Sequence, residues 1–521
     1  MIVQNYVFKE TYYDSMLLMR LGAEAGKTDG VKNISVGMGT PLNKDTMREL
    51  GLLLPDGDVA SPNDLVIALA AETEAAALAA RDCFLSLLQK KRAPRGKNTY
   101  PSLDCMARSG LRRNLAVISL AGQYAAAEAE KSLKMGLNVF MFSDNVPLAD
   151  EVRLKALARE KGLLMMGPDC GLSFIGGVAV GLCSKVRRGN IGLIGACGSG
   201  MQEVMNIIHG QGGGVSHAIG VGGRDLSAQV GGSTMLQALE LLEADPETRV
   251  IGLISKPPAP ATARKIFERL RDCKKPAVIQ FIHCPPELAA ESGAQVSAGF
   301  EETALRCLAL AQGKPYAPES ADERLARLSP LARKAAAGMA LEQRYLRGLY
   351  CGGSLAEETL EIAQGVLGPM YGNIAFDKER MLEGTGKSRG HCLIDMGAEE
   401  FTLGKPHVAI DPAPRLERFV QEARDPETAV ILLDFLLGYA LCEDPAGRIA
   451  PVIQAEIERA EKEGRRLCVA ASICGSDLDP QNREKQEETL RNAGALVFGN
   501  NGEASLFAAL AARESEENKH A

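Results

Sequence analysis

The sequence predicts an α/β protein: a small N-terminal α/β domain, then a Rossmann-like domain and two larger parallel-sheet domains. Three observations predict it. Aromatic residues make up 5% of the chain and Trp is absent, while Gly (54 residues) and aliphatic residues abound. That composition suits parallel sheets covered by helices rather than aromatic-rich sandwiches. Strand and helix patterns alternate with short connections, which implies right-handed crossovers. A strand, a Gly/Ser turn and a helix also recur in the later half, which points to internal duplication.

Taken in order, residues 3–9 read as a strand and 13–25 as a helix. A strand follows at 31–38 (VKNISVGM), then a helix pattern to 54, then a strand at 64–70 (DLVIALA) before an Ala-rich helix ending near 89. These form an N-terminal domain over 1–108, for which a ferredoxin-like arrangement is one option. The polar stretch 90–110, with its Pro and Gly, reads as a linker. The Rossmann-like domain, 109–186, runs from NLAVISLAG through the helix YAAAEAEKSLKMG and the strand NVFMFSD to LLMMGPDCG. A third domain, 187–312, opens with NIGLIGACGSGMQEVMNII. A Pro- and Ala-rich link, 313–343, leads to a fourth, 344–521, which opens with RGLYCGGSLAEETLEIAQ. Asp-Pro-Glu-Thr stands before a buried strand in the same slot of both, at 245–248 and 425–428.

Composition excludes several function classes. With 521 residues, a chain of this kind holds about three or four domains. A net charge of −7 and short, scattered basic runs argue against nucleic acid as a partner. No run of about 18 apolar residues suggests a membrane span, and the N-terminus lacks a signal-peptide pattern, so a cytoplasmic location is expected. Thirteen Cys without CxxC spacing read as reduced thiols. Six His without HExxH or paired Cys/His spacing predict no metal site.

Chemistry is expected at the two Gly/Ser turns. A turn of this kind bares backbone N–H groups at a helix start, where the dipole favours an anion. The candidates are Gly198, Ser199 and Gly200 in one domain and Gly352, Gly353 and Ser354 in the other. Neither turn matches Walker A or GxGxxG, so neither nominates ATP or NAD. The plainer reading is an ordinary α/β turn. Arg224 and Lys256 follow strand ends, where α/β sites cluster, and either neutralise a bound anion or serve as solvated bases. Lys405 and His407 lie in GKPHVAIDP, with His407 a candidate general acid or base. Asp225 and Asp395 read as loop-orienting residues. Cys170, Cys197 and Cys351 lie in or beside the turns, but no His–Cys arrangement is legible that would make one a nucleophile.

Residues 115–312 resemble the α subunit of succinyl-CoA synthetase. The likeness rests on the Gly167-Pro168-Asp169-Cys170 turn, GNIGLIGACGSG, GVGGRD and LLEADPETRVIGLIS. Residues 345–507 resemble the C-terminal domain of its β subunit, through RGLYCGGSL, LIDMG and DPETAVILLDF. Over the whole chain the sequence is similar to the FdrA family, through FKETYYDSMLLM, MGTPLNKD, SDNV, SKPPAP and GKPHVAIDP.

The resemblance implies two flavodoxin-like domains whose paired helix starts bind a phosphoryl group. It places Glu203 where the synthetase has a glutamate against its phosphohistidine, and the 167–170 turn at the ligand. The sequence departs from the synthetase in three ways. Ser292 occupies the phosphohistidine spacing, with His283 lying before the Pro-Pro pair. No nucleotide-grasp domain of about 200 residues is present, and the first βα unit of the CoA-binding domain is replaced. Some FdrA relatives are subunits of oxamate carbamoyltransferase in allantoin breakdown. The resemblance therefore implies a subunit handling phosphate, carbamoyl phosphate or acyl phosphate, without a required cofactor and in a hetero-oligomer. The alternative is a subunit of an acyl-CoA synthetase that uses CoA, and a second alternative is a non-catalytic scaffold or ligand sensor. Glu203, Arg224, Lys256 and His407 are the catalytic candidates.

Overall fold

The computed structural model describes residues 1–11, 13, 15–90, 100, 102–282, 284, 290–375, 377–382, 386–402 and 406–517. They group into two compact units. The first is Met1–Arg112 with Glu399–His407, and the second is Arg113–Ala398 with Val408–Ala521.

The first unit holds an antiparallel sheet of β1 (Ile2–Phe8), β2 (Val31–Met38) and β3 (Leu65–Ala71) in the order β1-β3-β2. That is a ferredoxin-like order, with three strands among the described residues. The central strand LVIALAA is apolar at every position because both its faces are covered. Leu65, Ile67 and Leu69 meet Leu18, Leu21 and Phe84 of the helices Ser15–Ala25 and Glu74–Lys90. Val66, Ala68 and Ala70 pack on the other face with Met47 and Leu52, the two-residue period of a strand.

The second unit carries three sheets among its described residues. The Rossmann-like lobe is a parallel sheet of β4 (Leu115–Ile118), β5 (Asn138–Met141) and β6 (Met165–Met166). The next sheet comprises β7 (Leu172–Ile175), β8 (Val178–Gly181), β9 (Arg188–Gly195), β10 (Val215–Gly220), β11 (Val250–Ser255), β12 (Ala277–Phe281) and β13 (Gln295–Val296). Its order is β13-β12-β11-β9-β10-β7-β8, so β9 to β13 form a parallel 2-1-3-4-5 sheet. The hairpin β7–β8 is added antiparallel at the β10 edge. The sheet boundary therefore falls before Leu172 rather than at 186, because β7 finds its hydrogen-bonding partner in β10.

The last sheet holds β14 (Tyr345–Tyr350), β15 (Tyr371–Gly372), β16 (Cys392–Asp395), β17 (Thr428–Leu436), β18 (Cys468–Cys474) and β19 (Leu496–Phe498). Its order β15-β16-β14-β17-β18-β19 contains the same 2-1-3-4-5 core. The repeated Asp-Pro-Glu-Thr ends a helix and opens the third strand in both sheets. Asp245 Oδ1 accepts from Glu247 N–H at 3.2 Å, and Asp425 Oδ1 from Glu427 N–H at 3.0 Å. One apolar core runs through both domains, joining Leu193, Met201 and Phe300 to Leu346, Leu355 and Phe507. The Pro- and Ala-rich link contains a helix, Ala321–Ala336, started by a capping box in which Ser320 and Glu323 bond reciprocally. Its Leu328 and Ala332 enter that shared core. Among the described residues no helix is long and apolar enough to cross a membrane.

Candidate functional site

Each Gly/Ser turn follows the first strand of its 2-1-3-4-5 sheet and starts a helix, Gly198–Gly210 after β9 and Gly353–Leu367 after β14. The two starts touch. Ser354 N–H donates to Ser199 Oγ at 3.3 Å. Gly is required at 352 because a Cβ there would lie 2.9 Å from the Ser199 Cβ. The second start is rich in carboxylates. Asp434, near the end of β17, accepts from Cys351 N–H and Gly352 N–H at 2.8 Å each. Arg415 Nη2 balances it at 3.0 Å from inside the protein. Asp395, at the end of β16, turns Oδ2 towards Gly353, where it would stand 2.7 Å from a Cβ.

Lys256, just after β11, reaches across to Glu357 of the second helix at 2.6 Å. Burial works against its charge, but that carboxylate outweighs it and holds the amine above the usual lysine value. Its side chain remains 48% exposed. Burial pushes Asp395 up to about 6, against the Gly397 N–H and Lys256. Asp169 is likewise pushed to about 6 by desolvation and by Asp144, with Arg224 and Lys256 opposing. Lys256 pairs with Glu357, and its charge also works against the rise of both Asp169 and Asp395.

The turn Gly167, Pro168, Asp169, Cys170 is pinned by two bonds to the preceding strand and loop. Asp169 N–H donates to Ser143 O at 3.0 Å and Cys170 N–H to Met141 O at 3.1 Å. The loop after β10 passes so close that Gly222, at φ +89°, could carry no Cβ, since it would fall 2.3 Å from Pro168 O. Arg224 follows in that loop and is 42% exposed. It is held by Val146 O at 2.8 Å and by Glu151 at 2.9 Å. Glu151 is fully buried beside Lys155 Nζ at 3.0 Å, and Lys155 also meets Asp225 at 2.7 Å. Neither Glu151 oxygen makes a well-aligned hydrogen bond, so contact with these cations is what stabilises it. Asp225 further caps a helix by accepting from Thr234 and Met235 N–H groups.

The remaining candidates lie elsewhere. Glu203 is buried behind the first helix start, accepting from Asn501 N–H at 2.9 Å. Asn501 starts a third helix, Asn501–Glu517, and its Nδ2 donates to Glu358 at 2.9 Å. His407 belongs to the segment that groups with the first unit. Lys405, His283 and the Pro-Pro pair lie outside the described residues, while Ser292 is buried. The three turn cysteines are unsuited to act as nucleophiles, since burial pushes Cys170 up to about 12, Cys197 to about 11 and Cys351 well above the usual thiol value. Sequence reasoning missed Asp434, Arg415, Glu357 and Glu358. A signal existed for Asp434, a charge inside the apolar strand TAVILLDFL.

Comparison with known proteins fits this architecture. Residues 349–511 match the family described as CoA-ligase, 186–283 the CoA binding domain, and 1–101 the domain described as AllF, heavy metal-associated. Residues 1–101 contain one Cys and no His, and among the described residues no three His, Cys, Asp or Glu gather as a metal site. The side chains present do not fit a soft-metal centre.

The succinate–CoA ligase α subunit 1 of Archaeoglobus fulgidus is 26% identical over 166 residues, 31% of this chain and 55% of that one. An ATP citrate lyase structure from Methanothrix soehngenii, with citrate and coenzyme A, covers 81% of this chain and 85% of its own at 14% identity and a TM-score of 0.37. Nothing rests on that weak likeness. The uncharacterized protein YahF of Escherichia coli K12 is 42% identical over 512 residues, 98% of each chain. The chain belongs to the family of YahF, within the succinyl-CoA-synthetase-like proteins.

Proposed function

We propose that this chain is the acyl-transfer subunit of a CoA-ligase-type enzyme, seating a phosphate or acyl phosphate at the two touching helix starts. The observation that carries the reading is that contact, Ser354 N–H on Ser199 Oγ, with Lys256 beside it. The N–H groups of Gly198, Ser199, Gly200 and Gly353 would hold phosphate oxygens, each helix dipole adding about 0.3–1 kcal/mol. Lys256 would neutralise the phosphate and steady charge developing on it as an acyl C–O bond breaks. Arg224 and the Gly167–Cys170 turn would hold CoA, which when bound supplies the accepting thiol. Partner subunits would complete the assembly.

Carbamoyl transfer between a ureido acid and phosphate is a second reading. One observation is set beside it: residues 1–101 match the domain described as AllF, heavy metal-associated. Such transfer needs a phosphate seat and neither nucleotide nor CoA.

The test uses the purified full chain, alone and with candidate partner subunits. Acyl-CoA formed from an acyl phosphate and CoA supports the first reading. Carbamoyl phosphate formed from oxalurate and phosphate displaces it in favour of the second. If neither product forms and inorganic phosphate does not bind in ³¹P NMR titrations, both readings fail.

A further inference from the structure

We propose that Asp395 makes the anion seat proton-coupled: an anion binds at the Gly353 helix start only when a proton is held between it and Asp395 Oδ2. This rests on the seat proposed above and adds a named residue to it.

The geometry demands such a proton. Asp395 is 9% exposed, and its Oδ1 is engaged by Gly397 N–H at 2.9 Å. Oδ2 has no described partner and points at the start of the second helix, so close to Gly353 that a Cβ would approach it to 2.7 Å. The residue cannot swing away easily. The side-chain amide of Asn373 clamps its backbone from both sides, accepting from Asp395 N–H and donating to Asp395 O, each at 2.8 Å. An anion reaching the Gly353 N–H would therefore bind beside a fixed carboxylate oxygen. Two bare anions in a buried site repel, and one shared proton turns that repulsion into a strong hydrogen bond.

The groups around Asp395 allow it to take the proton. From β17, Asp434 raises its proton affinity, but Arg415 already pairs with Asp434. From the second helix, Glu357 acts in the same direction while pairing with Lys256. Lys256 and the Gly397 N–H oppose them, and the balance leaves Asp395 at about 6. The protonated form is therefore within reach at neutral pH.

Sulfate separates this proton from those of the ligand, because it carries none to lose across neutral pH. Calorimetric titration of the full chain with sulfate, between pH 5.5 and 8 in buffers of different ionisation enthalpy, counts the protons taken up. Wild type should take up close to one proton per sulfate at pH 8, with affinity falling about tenfold per pH unit above 6. Asp395→Asn should bind sulfate without proton uptake and with little pH dependence. Asp169→Asn, which removes the other carboxyl with a similar pKa, should retain the uptake. Inorganic phosphate should give the same ordering of variants.

Binding by wild type without proton uptake, or uptake that persists in Asp395→Asn, overturns the proposal and leaves the seat intact. Absence of sulfate and phosphate binding even at pH 5.5 overturns the seat as well. Should Asp395→Asn fail to fold by circular dichroism, Lys256→Met in the Asp169→Asn background decides. Removing that cation must move the uptake midpoint upward, and an unmoved midpoint overturns the proposal.

Discussion

Lys155 and Lys256 both face carboxylates, yet burial gives them different tasks. Lys155 is 1% exposed between Glu151 and Asp225, which are fully buried. Removing it strands Asp225 without a counter-charge and leaves Glu151 only Arg224, so Lys155→Met should cost about 3–5 kcal/mol, read from the urea midpoint. An unchanged midpoint would show that the cluster is hydrated. Lys256 pairs with Glu357 while half-exposed, and exposed pairs contribute about 0–1 kcal/mol to stability. Lys256→Met should leave the urea midpoint nearly unmoved but weaken inorganic phosphate binding at least about tenfold, the loss of one charge-assisted contact. Both lysines were visible in the sequence, and Lys256 was legible as a candidate because it follows a strand end. Lys155 was not, because a basic residue in LADEVRLKALAREKG reads as a solvated helix face until a second domain buries it.

At the scale of the element, the helix start is the functional unit. The N–H groups of Gly198 to Gly200 belong to one helix and the Gly353 N–H to another, and the sequence marks both starts with Gly and Ser. A new carboxylate there has opposite effects on stability and binding. Ser199→Asp should stabilise its helix by about 0.3–1 kcal/mol through the dipole. The same charge at the seat should weaken inorganic phosphate binding by about tenfold or more. Thermal melts and calorimetry on one preparation give both signs, and equal phosphate affinity would remove the anion seat from this turn. The sequence could not show that Asp434 already occupies the Cys351 and Gly352 N–H groups. That carboxylate comes from a strand 82 residues further on, and only sheet order brings it alongside β14.

Across the second unit, two helix starts, at Phe300 and Asn501, converge on two buried glutamates. Glu358 accepts from Phe300 N–H and from Asn501 Nδ2, and Asn501 N–H donates to Glu203. Burial pushes Glu358 from the ordinary 4.5 to about 7, with Glu203 adding to the rise and the Asn501 and Phe300 bonds opposing it. Glu203 is raised as well, again chiefly by burial. A carboxyl raised on folding stabilises fully below its unfolded value, and that contribution is lost as pH climbs through the folded value. Stability should therefore fall between about pH 5 and 8, by an amount on the order of 3 kcal/mol for Glu358. Glu358→Gln should flatten that decline in melts taken across the range. A wild type whose melting point is flat over this range would mean that the cluster is open to water.

By itself the sequence determined the α/β class and the duplication of one sheet plan. These follow from local patterns: period-two and helical spacing, Gly/Ser after a strand, and a four-residue turn repeated in one slot. It also marked both helix starts and the residues after strand ends. Tertiary structure alone decided what those residues face. The β7–β8 hairpin joined the following sheet, Lys256 reached across to Glu357 of the second helix, and Arg224 was fixed by Glu151. Each of these depends on long-range packing, which sets distance and desolvation and leaves no periodic trace in the chain.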